Sequence, residues 1–86
     1  MKILEIYKEK LRYKNYSFRT IDVYVSYLRI FLTYNKIKDP YQITTKEIIK
    51  FLESYNFKST SQQNQYVGSL KLFAKYILNK KDIPLS

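Results

Sequence analysis

The chain has 86 residues, with 16 Lys and Arg against 7 Asp and Glu, a net charge of +9, and neither His nor Cys. Such a length holds at most one domain, and domains this small bury only about 60% of their unfolded surface, leaving little room for a catalytic cleft. Without His or Cys the usual zinc sites, Ser–His and Cys–His couples, disulfides and thiol redox chemistry are excluded. A single Gly excludes a Gly-rich phosphate loop, so the expectation is a small basic binding module with no metal and no cofactor.

In chain order, Ile3, Ile6, Tyr7 and Leu11 recur at helical spacing and predict a first helix over residues 2–14, stopped at Asn15. Ser17 is placed to cap a second helix, in which Ile21, Tyr24, Val25, Leu28, Phe31 and Leu32 form one apolar stripe running to Tyr34. Residues 35–43 contain Asp39-Pro40, where the residue before proline is driven out of the helical region, and read as a loop. Thr44 and Glu47 have the spacing of a capping box opening a third helix with Ile48, Ile49, Phe51, Leu52 and Tyr55 on its apolar side. Residues 56–61 read as a polar link in which Ser59 or Ser61 can cap. A fourth helix over 62–79 then turns Val67, Leu70, Phe73, Ala74 and Ile77 inward, and residues 80–86, with Pro84, read as a tail. Four helices of roughly 12 to 18 residues joined by short connections make an all-α bundle with no need of a strand.

A hydrophobic fraction of 45% separates the chain from a disordered basic tail, because it supplies enough apolar surface to offset the entropy of ordering. Charged residues interrupt every apolar stretch well short of the roughly 20 residues that span a bilayer. Glu5, Lys8 and Glu9 stand where the apolar segment of a signal peptide would lie, so a cytoplasmic location is the default expectation.

The excess charge is unevenly spread. Residues 39–58 carry three basic and three acidic groups, whereas 1–14, 15–38 and 59–86 each carry an excess of three basic groups. A polyanion is therefore expected to leave the third helix on its far side. Opposite the apolar stripe of helix two stand Arg19, Val23, Ser26 and Ile30, with Thr20 and Tyr27 beside them. The equivalent strip of helix four holds Gln65, Gly68, Ser69 and Leu72, flanked by Gln62, Asn64, Lys71 and Lys75. Amides and hydroxyls bond base edges and phosphates, a Val can touch a thymine methyl, and Lys neutralises phosphate. Gly68 costs a helix interior about 1 kcal/mol relative to Ala, which points to close approach of another group, either a ligand backbone or a neighbouring helix. The ten Tyr and five Phe can stack on bases, but most fall on the predicted core stripes, where large aromatics fill a tryptophan-free bundle. Val23, Tyr27, Ile30 and Tyr34 make helix two apolar nearly all round, which suggests a second packing surface.

The run Asn15-Tyr16-Ser17-Phe18-Arg19-Thr20, followed by Tyr24, Leu28 and Phe31-Leu32, resembles the opening of helix two in the N-terminal core-binding domain of tyrosine recombinases, the phage-integrase family. Ile43-Thr44, Ile48 and Phe51-Leu52 resemble that family's third helix, and Asn64, Val67, Leu70, Phe73 and Tyr76 its fourth. The chain departs from the family at Phe18, where proline is frequent, and at Gln62, where threonine is common. The resemblance implies a compact four- or five-helix SAM-like orthogonal bundle over 1–79 that forms one half of a clamp around double-stranded DNA, mainly through helices two and four. Residues 80–86 would begin the linker to a C-terminal catalytic domain outside this chain. It carries Arg19, Thr20, Val23 and Ser26, together with Ser61, Gln62, Gln65 and Ser69, over as DNA contacts, to which the charge argument adds Lys71 and Lys75. The family's catalytic Arg, His or Lys, and nucleophilic Tyr have no counterpart here, so the chain is expected to bind and not to catalyse, with other recombinase protomers on the same DNA as further partners. The competing reading is a helical protein–protein interaction module built on the outer apolar face of helix two. A membrane-surface role is disfavoured because the apolar stripes are needed for the core.

Overall fold

Three of the four helices begin at a hydroxyl that takes over a free backbone donor. Ser17 accepts from the Thr20 amide at 3.2 Å, and Ser59 accepts from the Gln62 amide at 3.1 Å. Thr44 accepts from the Glu47 amide at 3.2 Å while the Glu47 carboxylate accepts from the Thr44 amide at 2.9 Å, completing the capping box. In the computed structural model, which describes residues 2–80, these caps open α2 (Phe18–Tyr34), α4 (Thr60–Tyr76) and α3 (Thr45–Ser54), and α1 (Lys2–Tyr13) precedes them. The fold is all-α, with no strand among the described residues. Residues 81–86, the bulk of the expected linker, lie outside them.

The ends of α1 and α2 are closed by left-handed residues other than glycine. Asn15 has φ 66°, and around it the Tyr16 amide donates to the Leu11 carbonyl at 3.1 Å and the Asn15 amide to the Arg12 carbonyl at 2.9 Å. This is the Schellman pattern, and it recurs at Lys36, φ 51°, where Ile37 reaches the Leu32 carbonyl at 2.9 Å. The expected loop of residues 35–43 contains one 3-10 turn, Pro40–Gln42, opened by the Asp39 carboxylate accepting from the Tyr41 amide at 3.1 Å. Ile43 is buried and pins the loop to the core.

The core is shared by all four helices, with Tyr7, Leu28, Phe31, Ile48, Leu70 and Phe73 fully buried. α2 and α4 cross antiparallel, since Tyr27 stacks on Tyr66 at 3.9 Å while Tyr24, earlier in α2, meets Gly68 and Ser69, later in α4. α1 runs alongside α4 in the same direction, with Tyr7 against Ser69 and Phe73 and Lys14 against Tyr76. α3 closes the opposite end. Phe51 packs on Phe31, Tyr34 and Tyr66, and the Gln63 side-chain Nε2 donates to the Leu52 carbonyl at 3.2 Å.

Two sequence expectations are corrected by this packing. The buried side of α4 is Tyr66, Ser69, Leu70, Phe73 and Ala74, rotated from the expected stripe, so Val67 is only half-buried, and the helix ends at Tyr76, before Ile77. The apolar belt around α2 is likewise not a spare surface. α2 is the central helix with neighbours on several sides, so of the belt Tyr27 and Ile30 are half-buried against the core and Tyr34 is exposed.

Candidate nucleic-acid interface

The antiparallel crossing of α2 and α4 decides which of the candidate residues can meet a ligand. Arg19 stands exposed in the first turn of α2, with Thr20, Val23 and Ser26 half-buried along the same helix. On α4, Ser61, Gln65, Lys71 and Lys75 are exposed. Ser61 to Lys75 spans about 21 Å of helix axis at 1.5 Å per residue. The candidates therefore form a strip along α4 and not one cluster: Ser61 and Gln62 stand at the α3 end, Gln65 at the crossing, and Lys71 and Lys75 at the other end.

Several of these side chains are already engaged. Gln62 accepts from the Lys58 amide at 2.8 Å, and its own amide is held by Ser59, so it is part of the α4 cap. Thr20 is tied to Ser17 in the same way, its hydroxyl accepting from the Ser17 hydroxyl at 3.0 Å. Gln65 accepts from the Tyr27 hydroxyl at 3.2 Å, a contact that joins α4 to α2 and leaves both Nε2 protons of Gln65 free to donate.

Ser69 is a correction. The expected outer strip of α4 placed it toward solvent, but it is 0% exposed. Its hydroxyl donates to the Tyr24 carbonyl at 2.6 Å, and its carbonyl accepts from the Tyr7 hydroxyl at 2.7 Å. A fully buried residue cannot touch duplex DNA. Gly68, next to it, is half-buried and faces Tyr24, so the close approach it permits is to a side chain of α2.

The neutral segment containing α3 covers the C-terminal half of α2 and the N-terminal half of α4, where Arg29, Lys36 and Lys38 are also exposed. Lys14, Arg19, Lys71 and Lys75 are exposed toward the opposite end, where α1 turns into α2 and α4 finishes. There the Lys14 ammonium lies 5.2 Å from the centroid of the Tyr76 ring and the Lys75 ammonium 5.6 Å from the same centroid. Hydrogen bonding with the neighbouring Tyr76 side chain first, and burial second, push the Tyr16 phenol above its ordinary range. Among the described residues the one ion pair is Arg12 with Glu9 at 2.9 Å, on exposed α1. No carboxylate among the described residues pairs with Lys14 or Lys75.

Lys14 was absent from the sequence candidates because it stands at the end of α1, off the two helices singled out by their outward faces. The signal that could have found it is Asn15, a helix-stop residue that fixes the turn presenting it. Phe18, 77% exposed at the start of α2, belongs to the same corner.

Comparison with known proteins bears on what this surface does. Residues 3–83 match the family model described as phage integrase, N-terminal SAM-like domain. Among curated proteins, the chain is 28% identical over 81 residues to an integrase/recombinase of Escherichia coli and to one of Pseudomonas aeruginosa, in each case over 91% of this chain and 24% of the relative. The chain thus spans about a quarter of the length of the curated relatives it matches. No solved structure matches it.

Proposed function

This chain belongs to the phage-integrase N-terminal SAM-like domain family, and from that premise we propose that it is the DNA-binding domain of a site-specific tyrosine recombinase, gripping duplex DNA at the recombination site while a separate catalytic domain exchanges strands. The observation that carries the reading is the distribution of charge over the fold. Arg19, Lys71 and Lys75 are exposed on the two crossing helices, and the charge-neutral α3 segment packs at the end remote from Lys75. Long cationic side chains of this kind neutralise backbone phosphates without reading sequence. Gln65, held by Tyr27 with its Nε2 protons free, is the group on this strip suited to donate to a base-edge acceptor such as guanine O6 or N7. A role in strand exchange fits the relatives' description as integrase/recombinase, and other protomers and the catalytic domain are its expected partners on DNA.

The reading is tested by titrating the 86-residue chain with duplex DNA at several salt concentrations. If about five phosphates are neutralised, the slope of log K against log salt is about −4 to −5, with a non-specific Kd on the order of 10⁻⁴ to 10⁻⁶ M. Lys71→Ala is expected to weaken binding to all sequences alike, and Gln65→Ala to change the preference among sequences. Binding that is absent at low salt refutes the DNA role. Equal effects of both substitutions across sequences refute base reading by Gln65.

A further inference from the structure

Two cations placed on one ring need a reason, because no carboxylate among the described residues pairs with either of them and like charges repel. Lys14 and Lys75 arrive from different elements, the α1–α2 corner and the last turn of α4, and their ammonium groups lie 5.2 and 5.6 Å from the centroid of Tyr76. The ring's quadrupole holds each cation in place by about 0.5–1 kcal/mol at an exposed site, but it supplies no negative charge. The corner presenting Lys14 is fixed on both sides. Asn15 closes α1 in the left-handed region, Ser17 caps α2, and Tyr16 between them is half-buried against the core with its backbone amide on the Leu11 carbonyl. The result is a pre-positioned pair of cations that no carboxylate among the described residues compensates, and pre-positioning lowers the ordering cost of binding.

We propose that Lys14 and Lys75, arrayed on the Tyr76 ring, form a seat for the phosphodiester backbone of duplex DNA, making the α1–α2 corner a third contact element beside α2 and α4. The inference rests on the DNA reading above and goes beyond it, since that reading draws its contacts from the two crossing helices. The strand laid across α4 continues past Lys71 to Lys75 and is met there by Lys14 from the side. The contact is to phosphate and carries no sequence information. Tyr76 is a positioning residue that keeps both ammonium groups at the bundle's end.

The test is the salt dependence of duplex binding by the 86-residue chain and five variants. Lys14→Ala is expected to reduce the magnitude of the log–log slope by about 0.9, the share of one phosphate contact. Its defect relative to the parent then shrinks about 3.5-fold between roughly 50 and 200 mM salt. Lys50→Ala removes the same charge from exposed α3 and is expected to leave the slope unchanged. Tyr76→Leu keeps the charge and is expected to weaken binding while making a further Lys14→Ala change nearly silent. Tyr76→Phe, which retains the ring and guards against a folding defect, is expected to bind like the parent. A Lys14→Ala slope equal to that of Lys50→Ala, in a parent chain that binds duplex, overturns the seat and leaves the DNA reading standing. A parent chain without salt-dependent binding overturns both. Inorganic phosphate that shifts the Tyr76 ring resonances at constant ionic strength, with duplex binding indifferent to Lys14→Ala, assigns the pair to free phosphate and also overturns the proposal.

Discussion

Replacing Gly68 by alanine sets two effects of known sign against each other. Gly68 lies within α4 and no glycine has positive φ, so the backbone suits alanine, and the helix gains about 1 kcal/mol from the substitution. The new Cβ, however, would stand 2.6 Å from the Tyr24 hydroxyl oxygen and 3.1 Å from Tyr24 Cζ. Neither separation is tolerable, so the ring end must move. α2 cannot simply back away, because the Tyr24 carbonyl accepts from Ser69 at 2.6 Å one residue further along α4. Relief therefore falls on the Tyr24 side-chain torsions, at about 0.5–1.5 kcal/mol for an off-rotamer ring, with further loss from disturbed packing. The two effects nearly cancel, and Gly68→Ala alone is expected to leave stability within about 1 kcal/mol of the parent, on the destabilised side. In a Tyr24→Ala background the obstacle is gone, and the same substitution is expected to stabilise by the full propensity gain of about 1 kcal/mol. Urea unfolding of the four proteins closes the cycle, and the expected coupling is about 1–2 kcal/mol. A gain of about 1 kcal/mol in both backgrounds would show that the ring exerts no steric control over residue 68 and would refute the account of why the chain's one glycine is there.

Two further outcomes follow from local features. Burial first pushes the phenols of Tyr7 and Tyr66 above their ordinary value of 10.0. The folded chain therefore keeps protons that the unfolded chain releases above about pH 10, and unfolding free energy should fall by about 1.4 kcal/mol per pH unit for each such phenol there. Tyr7→Phe removes one share of that slope, and denaturant unfolding of both proteins between pH 9 and pH 11 would expose an error if their slopes were equal. Lys36, at φ 51°, spends side-chain sterics on a conformation natural to glycine, so Lys36→Gly is expected to raise stability by about 0.5–1 kcal/mol, seen as a rise of several degrees in Tm. An unchanged Tm would mean that the side chain makes a compensating contact.

The elements were legible in the sequence because capping is local chemistry. Ser17 and the Thr44–Glu47 box mark helix starts by residue type and three-residue spacing alone, and Asn15 marks a stop. Ser59 was one of two candidates for the α4 cap, and the choice fell to it because it leaves the Gln62 side chain free to reach back to Lys58. The rotation of α4 was not legible. Hydropathy ranks Tyr66 and Ser69 as boundary or surface residues, yet both are buried. What buries them is pairing across helices, a ring stacked on Tyr27 and a hydroxyl satisfied by a carbonyl of α2. Such partners are 39 and 45 residues away along the chain, beyond any periodicity count. The belt of apolar residues on α2 failed as a surface predictor for a related reason. α2 meets solvent along Phe18, Arg19, Asp22, Arg29 and Thr33, whereas Tyr27 and Ile30 of the belt are half-buried against the core, so an apolar belt nearly all round did not mark the exposed side.

Ser69, misread as a DNA contact, has a larger consequence for the candidate interface than a contact would. Through it α4 is bonded to both neighbours, to α2 by its hydroxyl and to α1 by its carbonyl. Two bonds to two helices from one residue leave α4 little freedom to turn about its axis. That rotation decides which side chains meet solvent, and with Ser69 inward the outward line becomes Ser61, Asn64, Gln65, Lys71 and Lys75. It also sets the height of Tyr76 beside Lys14, because the same α1–α4 contact is made twice, at Tyr7 with Ser69 and about two helical turns later at Lys14 with Tyr76. The seat at the bundle's end therefore depends on a buried hydrogen bond near its middle. A polar residue buried with both of its groups satisfied stabilises little in net terms, but it selects one register of α4 over its alternatives, and the exposed cations follow from that register.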